Sequence, residues 1–453
     1  MRPPAPPETS RTADEADARD RVATLADDAE ACARPDLRAS MRVFARIGFL
    51  SFGGPAAQIA LMHRELVEAR PWLSEHRYLK ALSFCMLLPG PEAMQLATYA
   101  GWRLHGTLGG LLAGSLFVLP GAAVMFLLAW LYAVFGDVPL VASLFLGIKA
   151  AVLVIVVDAL FRVSQRALER PEHWVLAGLA FVALFFLKLP YPLVVVLAGI
   201  VGFGLGRSHR QEAAARGAAP DARNGRSALW HTGATVLLWL AIWWLPLLVI
   251  GALSGQPILD EIGQFFSRLA VVTFGGAYAV LAYMAQDVVD LHGWLSAGEM
   301  LDGLGLAETT PGPLILVTEF VGFLTGYRTG GLGLAMLATL VTLWATFVPC
   351  FLWIFAGAPW IDWLNHRPRL QGALAAITAA VVGVILNLSI WFALHVLFAS
   401  VNGVVPAWAS LDWRVLLLTV LSGLLLLGLR WRMELVLLLA AAGGVLSGGF
   451  GVA

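Results

Sequence analysis

From Met41 onward, long apolar runs alternate with short polar or glycine- and proline-rich breaks. A bilayer's ~30 Å of hydrocarbon needs about 20 apolar residues per helix. Runs of that kind predict six membrane-embedded segments at 42–63, 79–103, 108–135, 139–163, 173–188 and 190–206. One more is predicted at 229–252, and six follow at 262–286, 299–326, 330–357, 371–398, 413–429 and 433–450, thirteen in all. The weak two-residue alternation of barrel strands is absent, so helices do the crossing.

The pattern repeats. Phe44–Gly54 reads Phe-Ala-Arg-Ile-Gly-Phe-Leu-Ser-Phe-Gly-Gly, and 222 positions on Phe266–Gly276 reads Phe-Ser-Arg-Leu-Ala-Val-Val-Thr-Phe-Gly-Gly. At the same offset Trp72-Leu73-Ser74 recurs as Trp294-Leu295-Ser296, and Pro89-Gly90-Pro91 as Pro311-Gly312-Pro313. Beyond these the offset becomes 229, pairing Pro120 with Pro349, Lys149 with Thr378 and Asp158 with Asn387. Seven spans separate equivalent points, which turns the second copy upside down, a plan used by many secondary transporters. The predicted fold is therefore an all-α integral membrane protein of two inverted six-helix repeats with discontinuous helices and one linking helix. Its parts are a disordered cytoplasmic tail (1–40), the first repeat (41–206), a basic cytoplasmic linker (207–228), the linking helix (229–252) and the second repeat (258–453).

Composition agrees: 59% of the residues are hydrophobic and 13% charged, too little charge for a soluble globular chain. The arginines set an orientation by the positive-inside rule. With the N-terminus in the cytoplasm and the C-terminus outside, Arg103, the Arg162/Arg166/Arg170 cluster, Arg207–Arg226, Arg367/Arg369 and Arg430/Arg432 fall inside. The loop carrying Arg64, Arg70, Arg77 and Lys80 disagrees, and is expected to fold back onto a transport vestibule. Cys32, Cys85 and Cys350 are far apart with no metal-ligand spacing, so no metal or disulfide framework is expected. Nucleotide-binding and hydrolase motifs are missing, which argues against an ATP-driven pump or an enzyme with a catalytic residue, and no cofactor or nucleic-acid partner is expected.

The breaks are the candidate chemistry. Broken backbone in a bilayer must be packed in protein or line a cavity. The freed amides of a half-helix N-terminus attract anions. Phe52, Gly53, Gly54, Pro89, Gly90 and Pro91, with Phe274, Gly275, Gly276, Pro311, Gly312 and Pro313, are the expected substrate site for a small multivalent oxyanion. The bland alternative is close helix packing at the glycines and kinks at the prolines. Arg46, Arg268 and Lys149 sit in otherwise apolar segments where a cation is costly, and are the expected charge partners, the alternative being snorkelling to headgroups. Asp158 is expected to cap or pair near the end of its span. Glu92, Glu308 and Glu319 flank the second break and are proton-coupling candidates, helix capping being the alternative.

Phe52-Gly53-Gly54-Pro55 followed by Glu65, Trp72-Leu73 and Leu88-Pro89-Gly90-Pro91 resembles one signature region of the chromate ion transporter family. Thr273-Phe274-Gly275-Gly276 with Ala307-Glu308-Thr309-Thr310-Pro311-Gly312-Pro313 resembles the other. The resemblance runs from about residue 41 to the C-terminus and is to the long, two-domain form. It implies an inner-membrane secondary active transporter that expels chromate, giving chromate resistance, driven by a proton gradient or the membrane potential, with the lipid bilayer, a coupling proton and a homodimer as its partners. The residues alone leave open another tetrahedral oxyanion such as sulfate or molybdate, a passive anion channel, or an oxyanion reductase. One departure stands out: Ala277-Tyr278 follows the second glycine pair where Pro55 follows the first.

Overall fold

Helix α1 (Leu37–Leu50) spans 14 residues, about 21 Å, and stops short of crossing a bilayer. The computed structural model describes residues 35–136, 138–205, 225–274, 277–361, 367–402 and 405–449. The expected tail up to residue 34, residues 206–224 of the basic linker, and Gly275 and Gly276 lie outside the described residues. After α1, Gly53 and Gly54 adopt φ of +82° and +77°, a left-handed backbone that side chains resist. Helix α2 (Gly54–His63) then starts with Pro55 in its first turn, where a missing amide hydrogen does no harm. It ends in a π-helical turn, Arg64–Glu68.

The Trp-Leu-Ser motif that follows is a local stop-and-start signal. The Trp72 amide donates back to Leu66 and Ser74 caps α3 (Glu75–Cys85) by accepting from the Arg77 amide. The first limb of α4 (Glu92–Phe135) begins just past Pro89-Gly90-Pro91, where Gly90 has φ +115°. At His105 and Gly106 (φ +66°, ψ −157°) the chain leaves helical geometry. The two limbs lie back to back: a Cβ on Gly101 would sit 2.3 Å from the Gly109 carbonyl oxygen. Segments 79–103 and 108–135 therefore meet at a tight helical hairpin. Helices α5 (Pro139–Ala167), α6 (Pro171–Phe185) and α7 (Tyr191–Leu205) complete the first half.

Helix α8 (Gly225–Ser254) packs through Trp239, Trp243 and Leu247, a stripe at four-residue spacing, and leaves Trp230, Leu238 and Leu245 exposed on its other faces. The second half then repeats the first: α9 (Pro257–Val272), α10 (Ala277–Gln286) with the π-turn Asp287–Leu291, α11 (Ala297–Thr309), α12 (Val317–Gly357), α13 (Pro368–Leu397), α14 (Trp413–Gly423) and α15 (Met433–Gly449). The Trp294 amide returns to Val288, and Ser296 caps α11 in a capping box with Glu299. Gly330 and Gly331 (φ +71°, ψ −164°) turn α12 into a second hairpin with nearly the torsions of the first. This turn lies 225 positions after Gly106, so the shift in offset from 222 to 229 accrues on both sides of the hairpin. A two-residue ladder, β1 (Val401–Asn402) with β2 (Val405–Pro406), is a minor addition to an otherwise helical chain.

The halves interlock. Helix α5 packs against α15 so closely that a Cβ on Gly147 would fall 1.8 Å from the Ala440 carbonyl oxygen. In turn α13 packs against α6 and α7. The breaks cross as well: the Gly90 amide donates to the Thr273 carbonyl at 2.9 Å, and the Gly312 amide to the Ser51 carbonyl at 2.8 Å. Among the described residues five helical stretches are long and apolar enough to cross a membrane: Glu92–Phe135, Pro139–Ala167, Trp230–Ser254, Leu314–Trp360 and Arg369–Leu397. In the first and fourth the limb after the hairpin turn is long enough alone. The molecule is an all-α, multi-pass membrane protein.

Candidate functional site

A cavity of about 110 Å³ lies where the two first breaks and the two second breaks approach one another. Gly53, Gly54, Pro55 and Ala56 form one wall, and Ala277 and Tyr278, the first described residues of α10, another. Glu92 and Glu308, which bracket the second breaks of the two halves, line it too. Neither Gly53 nor Pro91 gives its helix a side-chain cap. The first-turn amides of α2 and α4 are therefore left without partners inside their helices, and their partial positive charge faces this region. The cavity is small, and suits a compact ion.

The cations at this cavity come from the end of α5. Arg162 and Arg166, one turn apart, both line it, as do Ala159 and Val163. Arg162 holds Asp158 at 2.9 Å, and its side chain is half-exposed. Across the cavity the Tyr278 hydroxyl donates to Glu308 Oε1 at 2.8 Å. Glu308 Oε2 is buried with no hydrogen-bond partner, so the carboxyl has an acceptor site to spare. The arrangement offers two guanidinium forks and helix amides to an oxyanion, and two carboxyl groups that can take up or lose protons beside it.

Arg46 and Arg268, expected as charge partners, lie off the cavity. Arg46 is on the exposed face of α1 with Nε 3.7 Å from Glu65, which also pairs closely with Arg70. Arg268 is exposed on α9 and donates to Gln264 at 3.4 Å. Both helices bury the opposite face, Val43, Phe44 and Ile47 in α1 and Phe265, Phe266 and Leu269 in α9, which turns the arginines outward. Lys149 sits ten residues before Ala159, about 15 Å along α5, and is paired with Asp302 of α11 at 3.2 Å. The Tyr132 hydroxyl donates to the same Asp302 oxygen at 2.8 Å. Asp158 serves Arg162, as its expected pairing role requires.

Pro89, Gly90, Pro91, Pro311, Gly312 and Pro313 build the crossing of the breaks and do not line the cavity. Gln58 of α2 reinforces that crossing: its side-chain amide donates to the Gly312 carbonyl at 2.6 Å and to the Ser51 carbonyl at 3.3 Å. Phe52 is exposed and Phe274 half-buried beside the break. Glu319 is buried on the first limb of α12, its Oε2 without a partner, and is not a lining residue. Sequence reasoning missed Arg162, Arg166 and Tyr278 as site residues. Their four-residue spacing at the close of an apolar helix was visible, but read as the mark of a cytoplasmic loop.

The profile of the chromate transporter family matches residues 39–203 and 261–447, covering both halves. The chain is 32% identical over 348 residues to a chromate transport protein of Pseudomonas aeruginosa, covering 76% of this chain and 77% of that one. A chromate transport protein of Cupriavidus metallidurans is 29% identical over 349 residues, covering 77% and 80%. A probable chromate transport protein of Synechococcus elongatus is 28% identical over 349 residues, covering 77% and 82%. No solved structure matches.

Proposed function

The chain belongs to the chromate transporter family, and from that premise we propose that it exports chromate across the bacterial cytoplasmic membrane as a secondary active transporter. The observation that carries this reading is the meeting of Arg162, Arg166 and the uncapped starts of α2 and α4 at one small cavity. Chromate binds there as a dianion, its oxygens taken by the two guanidinium groups and the Gly54 side of the break. Arg162 exchanges Asp158 for the anion, so the site's charge stays balanced when empty.

The two halves act as inverted repeats, thirteen membrane-embedded segments in all, with the N-terminus and the Arg162/Arg166 cavity on the cytoplasmic side and the C-terminus outside. The reciprocal bonds Gly90–Thr273 and Gly312–Ser51 support that reading, because each half offers the other the same donor and acceptor. Alternating access follows from rocking one bundle against the other around this crossing. With the cell interior negative, outward movement of a dianion gains about 4.6 kcal/mol per 100 mV, twice the value for a single charge. Glu92 and Glu308 supply the proton-linked step: a proton on Glu308 removes a negative charge from beside the oxyanion and favours its binding.

Everted membrane vesicles test the proposal. Energised vesicles carrying the protein are expected to accumulate chromate, with excess sulfate and molybdate competing weakly. Accumulation of sulfate or molybdate in place of chromate would reassign the substrate, and strictly downhill flux would make the protein a channel.

A further inference from the structure

A second cavity, about 560 Å³, is lined in part by Lys188, Tyr191, Asp287, Asp290, Trp391 and His395. Its α13 wall is the counterpart of the arginine wall of the smaller cavity. Trp391 and His395 follow Arg162 and Arg166 by 229 positions, the same offset that relates Pro120 to Pro349. Tyr191 opens α7 and lines this cavity, as Met433 opens α15 and lines the other. The Tyr191 hydroxyl donates to the Val272 carbonyl at 3.3 Å, which ties the cavity to the last turn of α9, just before the second glycine pair.

The two cavities lie at opposite ends of α6. Arg166 comes five residues before Pro171, where that helix begins, and Phe185, where it ends, lines the larger cavity. Its 15 residues rise about 22 Å, most of the thickness of the hydrocarbon.

Equivalent along these walls, the cavities differ in the cations they offer. Two permanent cations at one become an indole and an imidazole at the other. His395 Nδ1 donates to the Trp391 carbonyl at 2.8 Å, which commits one ring nitrogen to the backbone. Asp287 and Asp290, three residues apart on the π-turn, add two carboxylates, faced among the lining residues by the single lysine Lys188. An oxyanion arriving there meets two carboxylates and no lining guanidinium, where the counterpart site offers two guanidinium groups.

We propose that the larger cavity is the release vestibule for the oxyanion, and that Asp287, Asp290 and His395 speed release there by keeping it a weak anion site opposite a strong one, while the gradient sets the direction. This rests on the oxyanion-transporter reading above and adds to it the residues that ease release at this face. The purified full chain in proteoliposomes of known orientation tests it, with half-saturation for chromate measured from each face. Replacing Asp287→Asn and Asp290→Asn together with His395→Arg is expected to lower half-saturation at the vestibule face roughly tenfold, the factor worth about 1.4 kcal/mol, and to leave the Arg162/Arg166 face unchanged. The single change Asp290→Asn, at an exposed carboxylate, is expected to shift the same face in the same direction, and stands in if the triple variant does not fold. Wild-type flux with unchanged half-saturation at the vestibule face in the variants would overturn the inference alone. Wild-type protein without chromate flux at either face would take the transporter reading down with it.

Discussion

The Gly90 amide and the Thr273 carbonyl, 2.9 Å apart, join the second break of one half to the first break of the other. The bond satisfies two backbone groups that water cannot reach, and Gly312 with Ser51 does the same in reverse. Gly90 achieves it at φ +115°, and a Cβ there would lie 2.9 Å from Gln95 Nε2 and 3.1 Å from Cys350 Sγ. Gly90→Ala is therefore expected to destabilise the protein by about 1–3 kcal/mol, the cost of a strained backbone position. Thermal unfolding in detergent reads this directly, and an unchanged midpoint would mean that the crossing gives way easily.

Chromate flux should depend on Arg162 and Arg166 and not on Arg46 or Arg268. Arg166→Gln is expected to weaken transport by roughly tenfold to a hundredfold, the loss of one charge-assisted contact of about 1.5–3 kcal/mol. Arg46→Gln and Arg268→Gln should change stability and flux little, since Glu65 keeps Arg70 as its close partner and exposed Arg268 makes one long contact with Gln264. Vesicle uptake by the three variants decides it. The opposite ranking would move the anion site to the outer faces of α1 and α9.

Lys149 and Asp302 form a pair that fastens α5 to α11. Asp302→Ala leaves an ammonium and the Tyr132 hydroxyl without their acceptor, and breaking such a pair costs about 3–5 kcal/mol when it is buried. Lys149→Met in the same chain should recover much of that loss. A double-mutant cycle on unfolding midpoints that came out additive would show that the two side chains do not interact.

Tyr278→Phe removes the hydroxyl that donates to Glu308. With its other oxygen already unpartnered, the buried carboxyl then loses the Tyr278 donor, a cost of about 1–3 kcal/mol. Glu308→Gln is expected to leave flux driven by membrane potential and abolish its response to an imposed pH gradient. Proteoliposomes clamped at zero potential separate the two; a pH-gradient response that survives the substitution would exclude Glu308 from coupling.

The breaks were legible in the sequence because their chemistry is local. Gly53-Gly54-Pro55 and Pro89-Gly90-Pro91 cannot continue a helix whatever surrounds them. The repeated Trp-Leu-Ser was equally visible, and its meaning proved local too, a turn followed by an N-cap. The cations were harder. Arg162 reaches the Gly53 break only because α5 folds back across more than a hundred residues, and no short-range pattern records such a meeting. For Arg46 a clue did exist: Arg42 lies one turn before it, and both fall opposite the buried stripe of Val43, Phe44 and Ile47.

The exchanged bonds between the breaks have a bearing on how the chain came to be one chain. Either half alone would leave one carbonyl, Ser51 or Thr273, short of its amide donor, and one amide, Gly90 or Gly312, without its acceptor. Each half thus completes the other. The protein is in effect a heterodimer whose two subunits share one peptide backbone, made inseparable by synthesis and complementary by descent.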